Sequence, residues 1–119
     1  MPLRPDLLRW QWDGYSRFHT QRANLLLHIV AVPTFIGATV GLIGSIASLD
    51  AISAATCAGT MVIAFVVQGL GHKREPEPPI AFDGIADVIS RIFVEQFVTF
   101  PRFVLSGGWG HALRKSSDG

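Results

Sequence analysis

Residues 23–72, ANLLLHIVAVPTFIGATVGLIGSIASLDAISAATCAGTMVIAFVVQGLGH, carry a single formal charge, Asp50, close to their midpoint. The run is too long for one membrane crossing, which takes roughly 20 apolar residues, and suits two, with Asp50 at the turn. A helix from His28 to Leu49 would rise about 32 Å and one from Asp50 to His72 about 33 Å, each close to a hydrocarbon core of roughly 30 Å. Antiparallel packing of two such helices would bring His28 and His72 to one depth on one side of the bilayer. The sequence therefore predicts an all-α integral membrane protein: a helical hairpin of two transmembrane helices, residues 24–48 and 51–71, with flanking amphipathic or interfacial helices.

The rest of the composition agrees. A chain of 119 residues is one domain at most, and 49% hydrophobic residues exceed what a small soluble protein with a large polar surface usually carries. All ten basic residues lie outside the apolar stretch: Arg4, Arg9, Arg17, Arg22, Lys73, Arg74, Arg91, Arg102, Arg114 and Lys115. By the positive-inside rule both termini are cytoplasmic, in a bacterial inner membrane or an endoplasmic reticulum according to the cell. These charges form no compact basic stripe, which argues against nucleic acid. The first apolar run starts late and lacks a small-residue cleavage site, so no signal peptide is read. Cys57 stands alone, which rules out a disulfide framework and a cysteine-based zinc site.

Outward from the apolar stretch, residues 5–22 mix Trp10, Trp12, Tyr15 and Phe18 with charges, as an interfacial segment would. Pro33 should kink the first crossing one turn beyond His28. KREPEPP, residues 73–79, is a stiff charged loop, because its prolines forbid a continuing helix. In residues 80–105, Ile85, Val88, Ile89, Ile92, Phe93 and Phe97 recur at helical spacing, with Asp83, Asp87, Arg91 and Glu95 largely opposite. Those charges predict an amphipathic helix in the interface or capping the hairpin, broken near Pro101. Residues 106–119 read as a flexible tail, with Trp109 as an anchor. Gly37 and Gly41, and the row Ala51, Ala55, Gly59, let helices approach closely, either within the chain or in a homodimer.

Polar side chains just inside a membrane boundary tend to face protein or water and to carry function. Asn24 and His28 are four residues apart on one helical face, and Gln68 and His72 repeat the arrangement. Either histidine alone would read as an ordinary interfacial residue; matched depth and paired amides point towards a metal site. His19 could complete three nitrogens, and Glu75, three residues after His72, could supply a carboxylate instead. Such donors suit iron(II), zinc or copper alike.

Tyr15-x3-His19-x4-Asn24-x3-His28-x4-Pro33, followed by Gln68-x2-Gly71-His72-x2-Glu75 and a proline-containing loop, resembles the family of 2-hydroxy fatty acid dioxygenases. That family was long known only as a domain of unknown function, and its best-known member is a yeast endoplasmic-reticulum membrane protein. The likeness runs from about Tyr15 to about Phe103. It implies an Fe(2+)-dependent enzyme of fatty acid α-oxidation, using dioxygen to shorten a 2-hydroxy fatty acid by one carbon. It also implies that His19, His28 and His72 hold the metal, with Glu75 as a further candidate ligand and Asn24, Gln68 and Tyr15 in support. Arg22, Lys73 and Arg74 could attract the substrate carboxylate, or could simply set topology. The competing expectation is a non-enzymatic membrane or lipid-binding protein associating through its Gly and Ala faces. A proton-coupled channel subunit is disfavoured, since neither crossing holds an ionisable group at its centre.

Overall fold

A computed structural model of the chain describes residues 4–116, which are helical and contain no strand. Helix α1 (Leu7–Tyr15) runs into a 3-10 turn (Ser16–Phe18) and is followed by two long helices, α2 (Arg22–Ala47) and α3 (Ala51–His72). A loop then leads to α4 (Ile85–Val94), a π-helical segment (Glu95–Thr99), α5 (Phe100–Leu105) and α6 (Gly108–Lys115).

Both long helices are long and apolar enough to cross a membrane. Each begins at a side-chain cap. The Gln21 side chain accepts from Asn24 N at 3.2 Å, and Asp50 accepts from Ser53 N at 3.0 Å and Ser53 Oγ at 2.9 Å. Such caps satisfy N–H groups that a helix start leaves without partners. The two helices lie side by side, and glycine sets their approach at two points. A Cβ on Gly41 would lie 2.8 Å from Cys57 Sγ, and one on Gly71 would collide with Asn24 Oδ1. Gly37, Gly44 and Gly59 have nothing within 4 Å of a Cβ, so of the expected Gly37/Gly41 step only Gly41 packs within the chain.

Helix α4 and its continuation are inside out relative to a water-soluble protein. Asp87, Arg91, Gln96 and Thr99 are buried, whereas Ile85 is 73% exposed and Ile89 53%. Asp87 and Arg91 turn towards α1 and the loop at residues 80–83, and Glu95 turns towards His28 of α2, whereas Ile85, Ile89 and Phe97 turn outward and Ile92 packs against Ala31, Phe35 and Ala64. The outer faces of α2 and α3 are likewise apolar, with Val30, Ile43, Ile52 and Ile63 exposed.

Three boundaries differ from the sequence reading. The last amphipathic helix starts at Ile85, after a loop through residues 80–84. Pro101 does not break it: the chain stays helical from 85 to 105. Proline lacks an N–H and crowds the carbonyl four residues earlier, and the wider π turn just before it relieves both. Residues 108–115 of the expected flexible tail form α6, docked by Trp109 Nε1 donating to Leu25 O at 3.0 Å; residues 117–119 lie outside the described residues.

Candidate metal centre

His19, His28 and His72 converge although they come from a loop, from α2 and from α3. Their ring centroids are 4.9 Å (His19–His28), 4.8 Å (His19–His72) and 5.0 Å (His28–His72) apart. Glu95, the first residue of the π segment, joins them. One donor atom from each of the four residues lies within 4.8 Å of every other. Glu95 Oε2 is 3.6 Å from His19 Nε2 and 3.7 Å from His28 Nε2.

Those separations are long for a hydrogen bond and suit a shared ion. Two donors each about 2.1 Å from one metal sit roughly 3.0–3.4 Å apart at octahedral or tetrahedral angles. The tautomers fit as well. His19 Nδ1 is 2.8 Å from Tyr15 O, and His28 Nδ1 is 2.9 Å from Asn24 O. A backbone carbonyl only accepts, so each Nδ1 carries the proton and each Nε2 presents a lone pair to the cluster. Both Nε2 atoms are buried with no hydrogen-bond partner, as is His72 Nδ1. Buried polar atoms without partners are rare and costly, and a cation at the cluster would satisfy the two Nε2 atoms at once. His19, His28, His72 and Glu95 could therefore hold a metal ion.

Tyr15 organises this cluster. Its hydroxyl donates to Glu95 Oε2 at 2.8 Å, and its ring stacks on His19 at 3.9 Å between centroids. Burial, then the charge and hydrogen bond of Glu95, raise the phenol well above its ordinary value of 10.0, so it remains a donor. Burial pushes the Glu95 carboxyl up, and the neighbouring imidazoles pull it below its ordinary 4.5 only where they carry a proton; with their Nε2 lone pairs free, a cation at the cluster would take over that part.

The carboxylate of the cluster is thus Glu95, and Glu75 lies elsewhere. Glu75 accepts from Thr20 N (3.0 Å), Thr20 Oγ1 (2.8 Å), Gln21 N (3.0 Å) and Asn24 Nδ2 (2.7 Å). It clasps the N-terminus of α2 to the loop after α3, where helix-end N–H groups favour an anion. Burial would raise its carboxyl, but the Gln21, Asn24 and Thr20 donors prevail and hold it below its ordinary 4.5. The expected amide partners of the imidazoles are also engaged elsewhere. Gln68 exchanges two hydrogen bonds with Gln96, at 2.9 and 2.8 Å, which ties α3 to the π segment. Asn24 supports His28 through its backbone carbonyl and Glu75 through its side chain.

Two cavities reach the cluster, and His72 and Glu95 line both. The smaller, about 110 Å³, lies beside α1 at Tyr15, Phe18 and His19. The larger, about 460 Å³, runs between α3 and residues 78–82, and Lys73 and Arg91 line it. Arg91 is fastened in place, donating to Ile80 O at 2.7 Å, Ala81 O at 3.1 Å and Asp87 Oδ2 at 3.2 Å. Of the three basic residues considered for a substrate carboxylate, Lys73 lines the larger cavity; Arg22 and Arg74 line neither.

Compared with known proteins, the chain matches no family model, no curated protein and no solved structure.

Proposed function

We propose that the protein is a membrane-embedded, iron(II)-dependent dioxygenase that converts a 2-hydroxy fatty acid to the acid one carbon shorter. The observation that carries this reading is the pair of buried Nε2 lone pairs on His19 and His28, aimed at the Glu95 carboxylate and unpartnered within the protein. Three imidazoles and a carboxylate match non-heme iron, although zinc and copper accept the same donors; iron comes from the motif likeness of residues 15–75.

In this reading α2 and α3 form a transmembrane hairpin, with the metal centre at the end opposite Asp50 and both termini on the cytoplasmic side. The exposed apolar faces of both helices and the inward polar face of α4 support it, since charged groups near lipid turn towards protein. The larger cavity would receive the substrate with its carboxylate at Lys73 and its 2-hydroxyl towards the cluster. Tyr15 would keep Glu95 oriented, and the backbone carbonyls of Tyr15 and Asn24 would hold the imidazoles in register. Iron(II) bound there would supply the redox chemistry between dioxygen and the 2-hydroxy acid. The reaction balances without a co-substrate: the acid and dioxygen give the shorter acid, carbon dioxide and water, and the electrons lost by one equal those gained by the other.

The test is anaerobic loading of detergent-solubilised protein with iron(II), admission of oxygen, and mass spectrometry for 2-hydroxypalmitate becoming the acid one carbon shorter. Product that vanishes in His72→Ala supports the reading. Retained iron without product removes this substrate; no product and no retained metal leave a lipid-embedded interaction protein as the better account.

A further inference from the structure

The larger cavity extends from the cluster to exposed positions on the outer face of α3. Its wall on α3 is Phe65, Gln68, Gly69 and His72, a single helical face that runs from lipid-exposed positions to the metal cluster. From Phe65 to Lys73 that face extends about 12 Å along the axis. The opposite wall comes from residues 78–82, where Ile80 and Phe82 are exposed at the mouth, and from Ile92 of α4. Arg91 pins this strap through the Ile80 and Ala81 carbonyls, and its guanidinium lies 4.3 Å from the Phe82 ring. The cavity thus grades from apolar at the outer face of α3 to polar at the metal cluster, where Lys73 and Arg91 stand beside Glu75 and Glu95. Its volume of about 460 Å³ falls in the range of small-molecule sites, roughly 300–1,000 Å³.

We infer that this cavity is a lateral entrance for a single-chain anionic amphiphile, which slides in from the bilayer headgroup-first between α3 and the strap at 78–82. Lys73 meets the anionic head, the head reaches His72 and Glu95, and the hydrocarbon tail trails past Phe65 and Gly69 into lipid. Gly69 keeps the passage open: a Cβ there meets nothing within 4 Å, so a larger side chain would occupy the passage without straining the helix. The smaller cavity on the α1 side, about 110 Å³, lies below the small-molecule range and suits water-sized molecules. This inference names the route and specificity residues of the site proposed above and rests on that reading for the identity of the head group.

The test uses the full chain in phosphatidylcholine nanodiscs and 2-hydroxyhexadecanoic acid carrying a diazirine near its tail, photolysed without oxygen. Peptide mapping should place the label on residues 65–69 and 78–82, displaceable by unlabelled 2-hydroxypalmitate. Gly69→Phe should abolish the displaceable label and raise KM for the acid about tenfold or more, the scale on which pocket filling discriminates. Gly59→Phe, which adds the same ring to the outer face of α3 away from the cavity, should change neither. Gly69→Leu and a helicity measurement guard against a folding defect. Label spread over the apolar faces regardless of competitor, or KM unchanged in a folded Gly69→Phe, overturns the lateral entrance while leaving the dioxygenase reading intact. Displaceable label in place without turnover keeps the entrance and removes the dioxygenase.

Discussion

Replacing Glu75 with alanine should destabilise the metal-free protein by about 3 kcal/mol. Four donors converge on its carboxylate: Thr20 N, Thr20 Oγ1, Gln21 N and Asn24 Nδ2. Thr20 is exposed and regains water when the carboxylate is removed, whereas Gln21 and Asn24 are buried, at 5% and 0% exposure. Bonds to a charged acceptor contribute roughly 1.5–3 kcal/mol each, which gives an upper range of about 3–6 kcal/mol for the two buried donors; water entering the vacated space brings the loss towards the lower end. The assay is denaturant unfolding of metal-free protein in detergent, followed by tryptophan fluorescence. A loss under about 1 kcal/mol would refute the clasp. A loss seen only in metal-loaded protein would mean that Glu75 is a ligand after all.

Acid should act on the same clasp. The Glu75 carboxyl is held below its ordinary 4.5 in the folded protein, so its stabilisation is complete above that value and disappears as pH falls through the lower folded one; unfolding of wild type and Glu75→Gln against pH should converge at the acid end, and parallel curves would contradict this. Tyr15→Phe removes the donor to Glu95 and should weaken metal binding about tenfold with the fold retained, measured by competition with a chelator; unchanged affinity would show that the hydrogen bond does not orient the ligand. Gly71→Ala drives a Cβ into Asn24 Oδ1 and should destabilise by about 1–3 kcal/mol, whereas Gly44→Ala, inside α2 with open space around it, should be neutral to stabilising by up to about 1 kcal/mol in the same unfolding assay.

The three histidines were legible because their logic is one-dimensional. Equal apolar lengths on either side of Asp50 put His28 and His72 at one level, whereas His19 was read from its nearness in sequence and from the motif likeness. Glu95 was not legible for a physical reason. With Asp87 and Arg91 it forms an i, i+4 stripe that reads as a solvated face, and that reading assumes water outside. Where the outside is apolar, the same stripe turns inward, and the exposed Ile85 and Ile89 mark the reversal. Proximity in sequence misled at Glu75, three residues from His72, because helix-end N–H groups compete with a metal for a carboxylate. The π segment was hidden too, since Pro101 signals a break and only three-dimensional packing shows the turn widening to absorb it. In the tail, Gly107, Gly108 and Gly110 argue for flexibility, and the long-range bond from Trp109 to Leu25 overrides them.

The most direct measurement is the metal content of anaerobically prepared protein titrated with iron(II) and, separately, zinc, in wild type, His28→Ala, Glu95→Ala and His111→Ala. One ion per chain is expected in wild type and in His111→Ala, with tight binding lost in His28→Ala and Glu95→Ala. A wild type that holds no ion, or a Glu95→Ala variant that binds as tightly as wild type, would contradict a centre built from His19, His28, His72 and Glu95.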